Sequence, residues 1–219
     1  MISGDEALLL LKSRRSVRHF SGRPIEKALL LRLIEAATTA PSSTNRQPWR
    51  FAVVTSAALK KQLVDAVREK TEAMKAIIRN SHHADEFGSY GDFFYEPLES
   101  AAAIIVPQYR EYPDAIAYLL ELGGCSPNSF ITPAAMRPEQ CSASAAVMAL
   151  RVQARAEGLG ACWMAGPTVA MNSIHTLLRI QSPWSMLGAI ALGYPLEEQK
   201  ASPGRKSVDK VAIFFNDEH

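Results

Sequence analysis

The sequence has few of the features that mark secreted, membrane-spanning or strongly charged proteins. Its 219 residues include three cysteines, Cys125, Cys141 and Cys162, which form no C-x-x-C pair, so we expect free thiols in a reducing cytoplasm. No uncharged stretch approaches the roughly 20 apolar residues that a helix needs to cross a bilayer. The net charge of +2 is too small to indicate a nucleic-acid-binding surface across the whole molecule. These absences favour a globular protein with neither a membrane nor a nucleic-acid partner.

Two hydrolase signatures are also missing. A serine hydrolase needs G-x-S-x-G at a strand-to-helix turn, and the chain contains no such pentapeptide. His82, His83, Asp85 and Glu86 are candidate metal ligands, but their spacing is not H-E-x-x-H and adjacent histidines point in different directions on a helix. The basic run over residues 12–23 could bind nucleic acid, although it has only one interleaved aromatic residue. A metal hydrolase and a nucleic-acid-binding protein therefore stay as minor alternatives.

Hydrophobic periodicity and turn residues predict an interleaved order of helices and strands. Ser56 would cap the third helix and Gly158 would end the fourth. Residues 109–138 contain too many prolines and glycines for one element, so we expect a helix and a surface loop there. This order predicts one α/β or α+β domain over residues 1–219, with helices on both faces of a sheet. We expect helices over residues 5–14, 26–39, 57–80 and 139–157, and strands over residues 50–55, 102–106, 188–192 and 211–215.

A cluster of cations follows the first predicted helix. Arg14, Ser16 and Arg18 alternate, so an extended chain places all three on one side. Two guanidinium groups and a short hydroxyl suit a phosphate monoester, which offers several acceptor oxygens. A second basic pair, Arg205 and Lys206, precedes the last predicted strand. For both groups a solvated turn is the simpler interpretation.

The segment from Pro41 to Trp49 is rich in short hydrogen-bonding side chains and runs directly into a predicted strand. The amides of Asn45 and Gln47 can each donate and accept, so they suit a ring edge that alternates carbonyls and ring nitrogens. The pyrimidine side of a flavin has such an edge. An ordinary turn, in which proline and serine only interrupt regular structure, is the alternative.

A third feature begins with G-L-G at residues 158–160. Trp163 stands where the dinucleotide fingerprint G-x-G-x-x-G needs its third glycine, and the segment follows a helix instead of a strand, so we reject a Rossmann-type nicotinamide site. Ala165 and Gly166 are small enough to let the backbone approach a flat ligand closely. A helix stop followed by a buried strand is the alternative interpretation.

Taken in chain order, these features resemble the FMN-dependent nitroreductase family. The resemblance rests on R-x-S-x-R at 14–18, P-S-S-x-N-x-Q-P-W at 41–49, G-L-G at 158–160 and the basic pair at 205–206, and it covers nearly the whole chain. It implies an α+β fold with three α/β/α layers and a central, mostly antiparallel (mixed) sheet. It also implies an intertwined homodimer with FMN at the subunit interface.

By that similarity, residues from both chains would hold each FMN. The family also contributes a mid-chain Asn or Lys, for which residues 88–99 offer no clear counterpart. The variable segment 109–138, with Phe130 or Tyr118, would shape the acceptor pocket. A backbone N–H near Ala165 or Gly166 would donate to flavin N5. One chain would supply Arg14, Arg15, Ser16, Arg18, Arg205 and Lys206, the partner would supply Pro41, Ser42, Ser43, Asn45 and Gln47, and Trp163, Met164, Ala165 and Gly166 would line the isoalloxazine.

The implied reaction transfers electrons from NADH or NADPH through FMN to a small acceptor such as a nitroaromatic or quinone, in a ping-pong sequence. Flavin would carry the chemistry, so neither a catalytic side chain nor a metal is expected. The family often has an acidic residue where this chain has Ala165, which bears on acceptor preference more than on flavin binding. Other flavin enzymes on the same fold are the alternative: dehalogenase-like, flavin-destroying, enone-reducing or ring-oxidising.

The charge argument predicts the effect of removing one arginine. Arg14→Ala or Arg18→Ala should weaken FMN retention by about 1.5 to 3 kcal/mol, the contribution of one charge-assisted hydrogen bond. Fluorescence titration of FMN against each variant measures this loss. Unchanged FMN affinity in both variants would remove the phosphate role from these side chains.

Overall fold

A computed structural model describes residues 2–79, 90–130, 132–196 and 204–215. Short 3-10 turns occur at Ser43–Asn45, Pro127–Ser129, Pro133–Met136, Gly166–Ala170 and Val208–Lys210. The α-helices are α1 (Gly4–Ser13), α2 (Lys27–Thr38), α3 (Ala57–Ile78), α4 (Glu96–Glu99), α5 (Ala115–Leu122), α6 (Pro138–Ala156) and α7 (Met171–Leu178). The strands are β1 (Trp49–Val54), β2 (Ala103–Arg110), β3 (Gly160–Met164), β4 (Trp184–Met186) and β5 (Ala189–Gly193).

The five strands form one sheet in the order β1-β2-β5-β3, and β4 also pairs with β2. Each of these pairings is antiparallel. A single parallel bridge joins Ser16 to Ala161, so the segment after α1 lies along the outer edge of β3. This arrangement confirms the predicted sheet, which is mostly antiparallel with one parallel addition.

The central strand β2 shows why the sheet carries helices on both faces. Ile104 and Val106 belong to one apolar cluster, which α3 and α7 cover. Ala103 and Ile105 belong to a second cluster, which α2 and α6 cover. Because successive side chains of a strand point to opposite faces, a run of apolar residues supplies both clusters. The predicted three α/β/α layers are confirmed.

Local sequence signals set several helix ends. Ser3 and Glu6 form a capping box at the start of α1, where each side chain accepts a hydrogen bond from the other residue's backbone N–H. Ser56 caps α3 as predicted, by accepting from the N–H of Leu59. Gly158 has φ of +74° just after α6, and the N–H of Leu159 donates to the carbonyl of Ala154 at 2.8 Å. Glycine therefore ends α6, as the sequence predicted.

The strand β2 continues four residues beyond the end predicted at Val106, through Pro107 to Arg110. Proline normally ends a central strand because it has no N–H to donate. Pro107 is accommodated because it falls between the residues of β2 that pair with β5 and those that pair with β4. Its carbonyl still accepts a hydrogen bond, from Leu187 N–H at 2.7 Å.

The prediction of a strand over residues 211–215 is wrong for the single chain. Instead the 3-10 turn at Val208–Lys210 leads into an irregular segment, in which Ile213, Phe214 and Phe215 are each at least 80% exposed. A strand needs a neighbouring edge to satisfy its backbone groups, and no strand of the described ranges pairs with this segment. Its apolar side chains are therefore left in solvent.

Three further features bear on the sequence expectations. Cys125, Cys141 and Cys162 are free thiols. The 109–138 segment contains α5 followed by two short 3-10 turns, in agreement with the helix and surface loop predicted there. Across the ranges that the structure describes, no helix combines the length and the apolar character that crossing a bilayer requires.

Close packing between Gly160 and Val17 holds the chain after α1 against β3. A methyl group at Gly160 would lie 2.5 Å from Val17 Cγ2, and Val17 is only 5% exposed. Gly160→Ala should therefore lower the free energy of unfolding by about 1 to 3 kcal/mol, measured by denaturant titration. Gly4→Ala, whose new methyl meets no atom within 4 Å, is the control. Equal stability of Gly160→Ala and the wild type would contradict this packing argument.

Candidate functional site

The segment that follows α1 runs in an extended conformation beside β3. Val17 donates its N–H to the carbonyl of Ala161 at 3.3 Å, and its side chain is buried in the core. Because side chains alternate along an extended chain, Ser16 and Arg18 on either side of Val17 are exposed. The alternation predicted for Arg14, Ser16 and Arg18 is therefore present in the structure.

Arginines from three parts of the chain meet beside this segment. Ser13, Arg14 and Arg15 line one small pocket together with Arg151 and Arg155 of α6. Burial lowers the pKa of the Arg14 guanidinium from its ordinary value, and the positive charges of Arg205 and Arg15 lower the pKa further. Arg14 and Arg205 are thus close enough to interact within one chain. The two basic groups that the sequence separates by nearly its whole length come together.

The arginine cluster, defined here as Arg14, Arg15, Arg151, Arg155 and Arg205, concentrates charge in a partly buried position. Burial lowers the pKa of Arg151 as well, and the charge of Arg14 contributes. Arginine stays protonated at any pH that a protein tolerates, so these pKa shifts indicate burial first and crowding of like charges second, and not deprotonation. Such crowding is unfavourable unless an anion relieves it.

Several donors of the cluster have no acceptor. Nε and Nη1 of Arg14 and Nε of Arg151 are buried and make no hydrogen bond in the described part of the chain. Within 4 Å, no carboxylate of that part pairs with Arg14, Arg15 or Arg151. A buried donor without a partner is unfavourable by about 1 to 3 kcal/mol. The donor set therefore fits an anion with several oxygens, such as a phosphate.

Arg151 and Arg155 are site residues that were not predicted from the sequence. Arg151 Nη2 donates to Ser16 Oγ at 3.2 Å, and Arg155 Nε donates to Ser13 Oγ at 3.1 Å. The two arginines are four residues apart and so lie on one face of α6. That spacing was visible in the sequence, but it did not show which segment the face would meet.

The mid-chain segment before α4 reaches the same region through aromatic residues. The Arg18 guanidinium lies over the ring of Phe93, 5.8 Å from its centre. Phe94 packs against Gly166, where an added methyl group would lie 2.3 Å from the ring. The mid-chain residues that reach this region are therefore the aromatic Phe93 and Phe94, and the family's mid-chain Asn or Lys contact has no assigned counterpart.

The candidate metal ligands His82, His83, Asp85 and Glu86 lie outside the described residues. Among those that the structure does describe, no group of three His, Cys, Asp or Glu side chains could hold a metal ion.

The strand β3, which follows α6, places Trp163 and Met164 on opposite faces of the sheet. Trp163 packs against the cluster under α2 and α6 and donates its indole N–H to the Leu187 carbonyl at 2.7 Å. Met164 packs against the cluster on the opposite face. These two side chains cannot both lie against one face of a flat ring. Ala165 is exposed and Gly166 half-buried, so close backbone approach is possible at these two residues.

The loop between α2 and β1 adopts an unusual backbone conformation. Thr44, Asn45 and Gln47 have φ of 51°, 53° and 48°, in the left-handed region that non-glycine residues rarely adopt. Ser42 Oγ accepts from Gln47 N–H at 3.0 Å, and Gln47 Nε2 donates to Asn45 Oδ1 at 3.3 Å. Strain of this kind is concentrated at ligand-binding segments. It supports a binding role for this loop over an ordinary turn.

One chain does not bring this loop to the arginine cluster. Ser43 N–H donates to Ser142 Oγ near the start of α6, whereas Arg151 lies nine residues further along the same helix, about 14 Å at 1.5 Å per residue. Pro41, Ser42, Ser43, Asn45 and Gln47 are mostly exposed. Lys206 is also exposed.

A cavity of about 290 Å³ opens between the loop and the segment 112–142. Tyr112 and Ile116 line this cavity. Phe130 and Tyr118 are 62% and 60% exposed and do not line this cavity, and their predicted place in the acceptor pocket stays a prediction.

Residues 11–194 match a family model described as Nitroreductase family. The chain is 25% identical over 189 residues to the 5,6-dimethylbenzimidazole synthase of Rhodospirillum rubrum, a match that covers 86% of this chain and 82% of the synthase. It is also 25% identical over 199 residues to an Archaeoglobus fulgidus protein whose name suggests NADH dehydrogenase or NAD(P)H nitroreductase activity, covering 89% and 88% of the two chains.

A solved structure shares the architecture closely. The BluB-like flavoprotein of Clostridium difficile 630 superposes with a TM-score of 0.85 at 25% identity. The superposition covers 96% of this chain and 99% of that chain.

An oxyanion should stabilise the cofactor-free protein, because it would neutralise the arginine cluster. Replacing chloride by inorganic phosphate at constant ionic strength should raise the Tm by about 2 to 4 °C, measured by calorimetry. Arg14→Met should raise the Tm in chloride, since one crowded charge is gone, and should lose the phosphate-dependent rise. Lys70→Met, on the exposed surface of α3, is the charge-matched control. The same phosphate-dependent rise in both variants would show that the cluster is not an anion site.

Proposed function

The chain belongs to the nitroreductase family, and from that premise we propose that it is an FMN-dependent oxidoreductase that takes electrons from NADH or NADPH and delivers them to a small acceptor. The observation that carries the proposal is the partly buried arginine cluster, in which Nε and Nη1 of Arg14 and Nε of Arg151 find no acceptor among the described residues. The doubly charged phosphate of FMN would supply acceptors. A planar ring attached to that phosphate would then extend along the edge of β3.

The side chains of the cluster have separate roles in this proposal. Arg14 and Arg151 would direct their orphaned N–H groups at the phosphate oxygens. Ser16, held by Arg151, would add a hydroxyl donor. Arg205 would bring a further positive charge from the other end of the chain. These contacts anchor one end of the cofactor and so fix its position relative to the sheet.

The end of β3 would contact the ring. The backbone at the exposed Ala165 and the half-buried Gly166 would approach the ring edge and donate an N–H to it, a role that does not depend on the side chain. Arg18, placed over Phe93, would favour negative charge on the nearby pyrimidine edge. FMN supplies the electron-transfer chemistry when bound, so the protein needs only to bind, orient and expose one ring face.

We also propose that the site is completed by a second copy of the chain. The strained loop at residues 41–47 and the arginine cluster contact opposite ends of α6, so the loop would serve the cofactor of the partner. Apolar surface supports this assembly: Ile116, Leu119 and Leu122 of α5 are exposed, and so are residues 213–215. Neighbouring exposed apolar side chains of this kind are typical of a surface that a partner covers. A homodimer would cover it symmetrically.

A flavin-consuming reaction is the second candidate. The solved structure with a TM-score of 0.85 is BluB-like, and a curated relative that matches 86% of this chain is a 5,6-dimethylbenzimidazole synthase. The benzimidazole named there carries the same dimethyl-substituted benzene ring as the isoalloxazine of FMN. A relative acting in this way would break the flavin down instead of recycling it.

One experiment separates the two candidates. Purified protein should be yellow, and NADH or NADPH should bleach it under anaerobic conditions, after which a nitroaromatic or quinone should restore the colour. FMN extracted after many such cycles should equal the FMN present at the start, measured by chromatography.

Two other outcomes would each contradict the reductase proposal. Loss of FMN with formation of a benzimidazole after oxygen is admitted would replace the reductase with the flavin-consuming reaction. Failure of both nicotinamides to bleach bound FMN would refute electron uptake from NAD(P)H.

A further inference from the structure

The cavity between the loop and the start of α6 is built as a ligand site. Its volume of about 290 Å³ is near the lower end of the range for small-molecule pockets, so it fits a compound of one or two rings. Pro48, Pro113, Pro133 and Ile116 provide apolar walls. Such walls suit the faces of a flat molecule.

One acidic side chain of this cavity has no hydrogen-bond or ion-pair partner among the described residues. Glu139 is 9% exposed and lines the cavity, and no residue in the described ranges gives its carboxylate a hydrogen bond or an ion pair. Its position in the first turn of α6 explains why a buried negative charge is tolerated there, because the helix dipole favours an anion at that end. The carboxylate still lacks a donor, and the cavity is where a ligand could supply one.

The neighbouring polar groups are already satisfied. Asp114 caps α5 by accepting from the N–H groups of Ile116 and Ala117, both at 3.1 Å, and its other oxygen accepts from the Thr132 hydroxyl. Ser142 donates to the Pro138 carbonyl at 2.6 Å. Of the three acceptor side chains Asp114, Glu139 and Ser142, Glu139 is therefore the one that makes no hydrogen bond within the described ranges.

We infer that this cavity is the acceptor site and selects small ring compounds that carry a protonated amine or another strong N–H donor, which the Glu139 carboxylate binds. The inference rests on the proposed function, because the loop at residues 41–47 forms one wall and would present the ligand to the FMN of the partner. Two carboxylates, Glu139 and Asp114, line the cavity against one cation, Arg46. Arg46 is exposed and lies over the Tyr112 ring, 4.9 Å from its centre, so it marks the rim.

Three nitrobenzyl acceptors of nearly equal size test the charge selection. They are 4-nitrobenzylamine, 4-nitrobenzyl alcohol and 4-nitrobenzoate, which are cationic, neutral and anionic at neutral pH. With reduced holoenzyme, kcat/KM should fall in that order, with the amine about tenfold or more above the carboxylate. An equal response to all three, or a preference for the carboxylate through Arg46, would overturn the inference.

The variant Glu139→Gln assigns the selection to one side chain. It keeps the shape of the residue but removes its charge, so the preference for the amine should drop about tenfold, through KM and not through kcat. Glu121→Gln, on the exposed surface of α5, makes the same charge change away from the cavity and should leave the preference intact. A full preference in Glu139→Gln would remove the role of this carboxylate.

A binding measurement separates this inference from the proposed function. If neither nicotinamide bleaches the protein, electron uptake fails, but calorimetric titration with benzylamine and benzoate still tests the cavity. Binding of benzylamine that weakens about tenfold in Glu139→Gln would support the site. Absence of benzylamine binding, or equal binding of both probes, would refute it.

Discussion

Burial of Val17 against β3 is the contact on which the rest of the site depends. Val17 is 5% exposed, touches Gly160 closely and donates its N–H to Ala161. This contact fixes an arginine segment beside further arginines, and burial together with the charges of Arg205 and Arg15 lowers the pKa of Arg14 there. Packing of the core offsets that repulsion and keeps the donors oriented before any anion arrives. The fold thus holds the arginine cluster in a conformation that suits binding more than stability.

The helix α6 connects the two functional regions. Its first turn carries Glu139 at the wall of the cavity, and its later turns carry Arg151 and Arg155 at the arginine cluster. This distribution follows the helix dipole, which favours an anion at the N-terminus and cations towards the C-terminus. The same helix packs against α2 and the sheet through Ala146, Leu150 and Ala154, so both regions are fixed to the core.

Much of the architecture could be predicted from the sequence, because it follows from local patterns. The apolar run in β2, the cap at Ser56 and the stop at Gly158 each depend on neighbouring residues, and the family resemblance built on the four motifs is confirmed over residues 11–194. The missed features depend on distant parts of the chain. Arg151 becomes part of the site only because α6 packs beside Ser16, which is distant in the sequence. Residues 211–215 form no strand because, within the described ranges of one chain, no neighbouring strand pairs with them.

The separation between the ends of α6 has a consequence for how this protein can diverge. Glu139 and Arg151 are twelve residues apart, which is about 18 Å along the helix, and they line different pockets of the chain. A substitution at the cavity can therefore change which compounds fit there while the arginine contacts of the same chain stay as they are.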